Sequence, residues 1–184
     1  MNIRRSTLTF VIAVSCLGFA AAALAEPDAF MRIKGKSGEI KGGSTQRGRE
    51  NMIVVHGIDH SVVVPIEASS GAASGRRVHK PIVITKGVDK SSPALHQALA
   101  MNEMLSEVTI QFYEVSKEGV ERNHYSIVLK NARISGLRHV MLDNKKPDSA
   151  RSPAYEELSL VYESITWTWT DGAITASDSA TVRQ

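Results

Sequence analysis

Cysteine is all but missing from this chain of 184 residues: the one present, Cys16, stands in an apolar N-terminal stretch, and none follows between Glu26 and Gln184. That excludes a disulfide framework and a cysteine nucleophile for the body of the protein. No serine sits in the glycine-flanked elbow of a hydrolase. Gly35, Gly38, Gly42 and Gly43 crowd one segment without the strand–turn–helix context of a phosphate-binding loop. Internal repeats and interdomain linkers are absent as well. Nor is there a strong charge of one sign. Setting aside Arg4 and Arg5, the 22 basic residues become 20 against 19 acidic ones, a net charge of +1. The electrostatic case for nucleic acid goes with that excess.

Arg4 and Arg5 precede an almost wholly apolar run, Leu8 to Leu24, and Ala23-Leu24-Ala25 has the small-x-small form of a cleavage site. These features predict a secretory signal peptide over 1–25, cleaved after Ala25. Alternatives are an uncleaved anchor and lipidation at Cys16, whose Ala13-Val14-Ser15-Cys16 context resembles a lipoprotein box. The remaining residues, roughly 160, are enough to bury a core without cross-links. One domain is expected over 26–170, followed by a flexible tail over 171–184.

The body reads as strand-rich. Phe30 to Ile33 opens a short strand, and Lys34 to Glu50 reads as a long mobile loop. From Met52 to Ile66 the apolar and histidine positions Met52, Val54, His56, Ile58, His60, Val62, Val64 and Ile66 share one parity, with a break expected near Gly57. Glu67 to Gly75 is a flexible connection, and Val78 to Thr85 the next strand. One helix is predicted: Ser92 as N-cap, Pro93 at its first position, and an apolar face of Leu95, Ala98, Leu99, Met101 and Leu105, ending near Met104. A hairpin follows, Val108 to Tyr113 against Tyr125 to Leu129 about the turn Lys117-Glu118-Gly119, continuing through Ile134 with Gly136 as a bend. Leu142 to Pro153 is an exposed loop. The last strand changes phase between Leu158, Leu160, Tyr162 and Ile165, Trp167, Trp169, which predicts a bulge at Glu163-Ser164.

His56, His60 and His79 are the candidates for zinc, as three imidazoles on adjacent strands would suit it. No carboxylate stands at a ligand spacing beside them, however, and a polar surface or interface is the better reading. Trp167 and Trp169, with threonines between them, would serve either as a stacking platform or as a core or subunit-interface strand, and the second is favoured. Catalytic residues, metal and cofactor are not expected.

The segment His79-Lys80-Pro81-Ile82-Val83-Ile84-Thr85-Lys86-Gly87-Val88-Asp89-Lys90-Ser91-Ser92-Pro93-Ala94-Leu95 resembles the signature of the haemolysin-coregulated protein (Hcp) family, the inner-tube subunit of bacterial type VI secretion. The hairpin from Val108 to Leu129 and the Tyr-x-x-Ile-x-Trp pattern at Tyr162, Ile165 and Trp167 continue the likeness. It implies a compact β-barrel of two packed antiparallel sheets with one flanking α-helix. It also implies a homohexameric ring, rings stacked into a tube, other type VI secretion components as partners, and small effector proteins carried in the lumen. No nucleic acid partner is implied. Subunit contacts are expected at Thr85, Lys86, Val88, Asp89, Trp167 and Trp169. The leader predicts a secreted or periplasmic location. It leaves an alternative open, a periplasmic or surface paralogue that binds a ligand without building a tube.

Overall fold

The computed structural model describes residues 29–180, so the expected signal peptide and Cys16 lie outside the described residues. The elements run β1 (Ala29–Gly35), β2 (Gly38–Ile40), β3 (Ile53–Asp59), β4 (Val62–Val63), β5 (Val78–His79), β6 (Ile82–Gly87), α1 (Ser92–Ala100), β7 (Leu105–Val115), β8 (Glu121–Val140), a 3-10 turn (Pro147–Ser149), β9 (Tyr155–Val161), β10 (Ser164–Trp169) and β11 (Ile174–Ser179).

Six of the strands close on themselves in the order β8-β7-β1-β3-β6-β9, because β9 also pairs with the second half of β8. All pairings are antiparallel. Closure leaves the barrel proper without a free edge. β10 and β11 extend the sheet outward from the first half of β8, and β2 folds back on β1. β4 and β5 form a separate two-stranded arm.

Inward positions follow the strand period of two. Met31 and Ile33, Val108 and Ile110, Ile127 and Leu129, Ile82 and Ile84, and Leu158 and Leu160 fill the centre, and Leu95 and Ala98 of α1 close over it. In β3 the buried residues are Ile53 and Val55, not the parity of Val54 and His56; the register shifts between Val55 and Gly57, and Ile58 returns to the core side. The expected break at Gly57 is there. One extra residue moves every later side chain to the other face.

Several expectations are corrected. The segment 34–50 is no loose loop: it holds β2, and Arg49 lies buried with its guanidinium 3.6 Å from the ring centroid of Tyr113 and 4.8 Å from that of Phe30. Gly42 seats against the Met52–Ile53 backbone, where a Cβ would come within 2.4 Å of the Met52 carbonyl. The strand expected over Val78 to Thr85 divides at Lys80-Pro81, since Pro81 has no N–H for a ladder. α1 ends at Ala100, four residues before the expected end, because Asn102 takes a left-handed conformation (φ 48°). The strand from Tyr155 onward turns a corner at Tyr162 and Glu163 and becomes β10, which stays beside β8 but exchanges β6 for β11. Finally, the tail expected to be disordered from Asp171 supplies β11, paired with β10 along six residues from Ser164 to Trp169.

Candidate functional site

Lys86 and Glu156 occupy core positions of their strands. Lys86 shares the parity of Ile82 and Ile84, and Glu156 that of Leu158 and Leu160, so the two face each other across the β6–β9 ladder. Both side chains are removed from solvent, with Lys86 Nζ 2.7 Å from Glu156 Oε2. Ser92 completes the site: its hydroxyl donates to Glu156 Oε2 (2.7 Å) and accepts from Lys86 Nζ (3.1 Å) and from the Asp89 amide (3.1 Å). Asp89 Oδ1 lies 3.1 Å from Lys86 Nζ and accepts from the Ser91 amide, while Oδ2 accepts from the Gly43 amide (2.7 Å). A buried charge pair persists only with such additional bonds.

The helix therefore starts differently from expectation. Ser91 is the N-cap, and Ser92, the residue predicted for that role, is spent on the ion pair. Burial works to raise the Glu156 pKa, but the bonds from Lys86 and Ser92 prevail and hold the carboxyl below its ordinary range. For Asp89, too, burial is outweighed, here by Ser91, Gly43 and the Lys86 charge. On the outer side of Glu156, His139 Nδ1 lies 3.4 Å and His96 Nε2 3.9 Å from Oε1.

The six residues expected at subunit contacts fall into two groups, and no strand pairing joins them among the described residues. Thr85, Lys86, Val88 and Asp89 form the β6–α1 junction; Trp167 and Trp169 lie on β10 between β8 and β11. Lys86 is turned wholly inward, and Thr85 is half-buried against Gly57. Val88 (47% exposed) and Trp169 (43% exposed) face outward. Trp167 packs on the core, 6.1 Å from the His60 ring. The sequence reading missed Glu156 as the partner of Lys86. The signal was present: both interrupt apolar alternations at core positions.

The three imidazoles considered for zinc divide. His56 is exposed beside Gly87. His60 and His79 meet at the Tyr162 hydroxyl, at 2.7 and 3.0 Å. Among the described residues no cluster of three such side chains has the geometry to hold a metal ion. His60 and His79 stand at the two feet of the arm, residues 61–79, which exposes Val62, Val63, Val64, Ile66 and Val78.

A protein-family model described as the type VI secretion system effector Hcp matches residues 30–169. The major exported protein of Pseudomonas aeruginosa is 38% identical over 137 residues, covering 74% of this chain and 80% of that protein. Among solved structures, the secreted protein Hcp3 of Pseudomonas aeruginosa is similar with a TM-score of 0.70 at 32% identity, covering 85% of this chain and all of the other. A variant of Hcp1 from the E. coli EAEC 042 pathovar has a TM-score of 0.75 at 30% identity, with 85% and 99% covered. The closed barrel, the junction from Lys86 to Ser92 and these matches agree: the chain belongs to the Hcp family of type VI secretion.

Proposed function

We propose that this protein is a non-enzymatic structural subunit that joins copies of itself into a hexameric ring, with rings stacking into a type VI secretion tube and the lumen holding small effector proteins. Family membership supports the type VI assignment, and the relatives named as exported and secreted support export. The observation that carries self-assembly is the placement of exposed apolar side chains on projections from a barrel that has satisfied its own edges. The arm offers Val62, Val63, Val64, Ile66 and Val78, the β6–α1 junction offers Val88, and the outer sheet offers Trp169. Exposed apolar side chains grouped as on the arm favour association with another surface. Ring closure requires two different patches to meet through a rotation. The junction (Thr85, Val88 and Asp89, fixed from beneath by Lys86) and β10 (Trp167, Trp169) are the two patches assigned here. Negative-stain microscopy of residues Glu26 to Gln184 tests the reading, since it expects ring-shaped particles.

A second reading is favoured by the leader-like segment from Arg4 to Ala25. A subunit carried singly across a membrane would be separated from a tube built in the cytoplasm, and would act as a periplasmic or surface binding module. Its expected signature is a monomer that holds a ligand against Trp167, Trp169 or the histidines.

A further inference from the structure

Three segments far apart in sequence are joined by one line of hydrogen bonds. His60 Nε2 lies 2.7 Å from Tyr162 Oη, His79 Nδ1 3.0 Å from the same oxygen, and His79 Nε2 3.0 Å from Asp178 Oδ2. Arg77 grips both oxygens of Asp178. His60 enters the arm, Arg77 and His79 leave it, Tyr162 stands at the β9–β10 corner, and Asp178 is on β11.

Donor and acceptor chemistry fixes the protons. The Arg77 bonds hold the Asp178 carboxyl well below the usual range, so it only accepts, and His79 must carry its proton on Nε2. A neutral His79 then has a bare Nδ1, to which the Tyr162 hydroxyl donates. Burial and the Asp178 charge push the Tyr162 pKa up to about 12, so the hydroxyl keeps its proton. Its oxygen accepts from His60 Nε2–H. One added proton is also tolerated: charged His79 donates from Nδ1 to Tyr162, which turns to donate to His60 Nε2, with His60 protonated on Nδ1. A second proton is disfavoured, because it sets two imidazolium charges against one phenol oxygen and leaves the phenol hydrogen without a protein acceptor among the described residues.

We propose that the His60–Tyr162–His79–Asp178 line is an acid-released lock on the arm, holding with no added proton or one and opening when both imidazoles are charged. The proposal rests on the self-assembly reading above, because the arm is part of the surface that would meet other copies. The groups facing the pair are Tyr162 from the corner, Asp178 from β11, Arg77 from the arm and Asp59 at the end of β3. Burial, and after it the charge of His79, lowers the His60 pKa below 6.5, and Asp59 opposes this only in part. A lowered imidazole pKa means that the folded arrangement binds fewer protons. Its stabilisation is complete above the ordinary imidazole value and is lost as pH falls from there toward the folded value.

Hydrogen–deuterium exchange on the purified protein at about pH 8 and about pH 5, either side of the ordinary imidazole pKa of about 6.5, tests this. Protection of amides 61–79 and 174–180, taken relative to β1 and β7, is expected to fall about tenfold at the acid pH. In His60→Gln, which keeps a donor but cannot charge, the ratio should hold. In Tyr162→Phe it should be low at both pH values. An unchanged ratio in the unaltered protein, or the same fall in His60→Gln, overturns the lock. Nitrogen-15 spectra of the imidazoles decide even if a variant loosens the fold: at pH 8 both rings are expected protonated on Nε2, and a His79 protonated on Nδ1 instead overturns it. Sedimentation of the same samples separates the two readings. A monomer whose ratio falls keeps the lock and rejects the ring, whereas rings with an unchanged ratio do the reverse.

Discussion

Lys86 Nζ and Glu156 Oε2 lie 2.7 Å apart with neither side chain open to water. The pair sits where the strand β6 hands the chain to α1, and Ser92 bonds to both partners. Removing one partner strands the other charge in the core. Glu156→Leu or Lys86→Met alone is expected to cost about 3–5 kcal/mol, whereas the joint change Lys86→Met with Glu156→Leu should recover most of it. Urea unfolding midpoints read this directly, and additive losses in the double variant would show that the two do not act as a pair.

The same pair sets an acid limit. The Glu156 carboxyl is held below its ordinary range, so the folded form binds fewer protons than the unfolded one. The stabilisation is present above the unfolded value of about 4.5 and disappears as pH falls through the folded value. Unfolding free energy measured from pH 7 downward should decline below that range, with a shallower decline in Glu156→Gln. Identical slopes for both proteins would remove Glu156 from the account.

Arg49 anchors the segment between β2 and β3. Its two terminal nitrogens each meet a Glu121 oxygen at 2.8 Å, and its plane covers the Tyr113 ring. Lysine offers neither the fork nor the flat face. Arg49→Lys is expected to lose about 2 kcal/mol, and exchange at amides 42–52 should rise while β7 stays protected. Unaltered exchange there would mean that the loop is held by other contacts, such as Gly43 on Asp89.

Val88→Asp and Trp169→Asp place a charge on outward side chains, so the unfolding free energy of the isolated chain should fall by about 0.5 kcal/mol or less for Val88→Asp and by about 1–2 kcal/mol for Trp169→Asp, which also gives up the His124 ring contact. Assembly should fail in both. Trp167→Asp is a poorer probe, since Trp167 packs on the core and its loss would unfold the corner. Undisturbed particles in both outward variants would move the contacts elsewhere.

The alternation of Ile127 with Leu129, of Ile82 with Ile84, and the Ser-Pro helix start made the strand-rich fold with one helix readable from residues alone. The resemblance carried by His79 to Leu95, the Val108–Leu129 hairpin and the Tyr162, Ile165 and Trp167 pattern supplied the family. What escaped depends on partners distant in sequence. Arg49 reads as loop charge until Phe30, Tyr113 and Glu121 surround it. Apart from Ile174, residues 174–179 are small or polar, and they become a strand because β10 offers an edge. The corner at Tyr162 looks like a bulge, since a phase change does not reveal that the strand leaves β6 for β11 while staying beside β8. His56, His60 and His79 are the three candidates for a metal, but His56 stands apart, the partner that His60 and His79 share is a phenol, and their anchor is Asp178, 99 residues beyond His79.

Sedimentation velocity of residues Glu26 to Gln184, followed over rising concentration at neutral pH, puts the claim of self-association to the most direct test. A boundary at six times the chain mass is the predicted result. A single boundary at the mass of one chain, unchanged at the highest concentration, would contradict it.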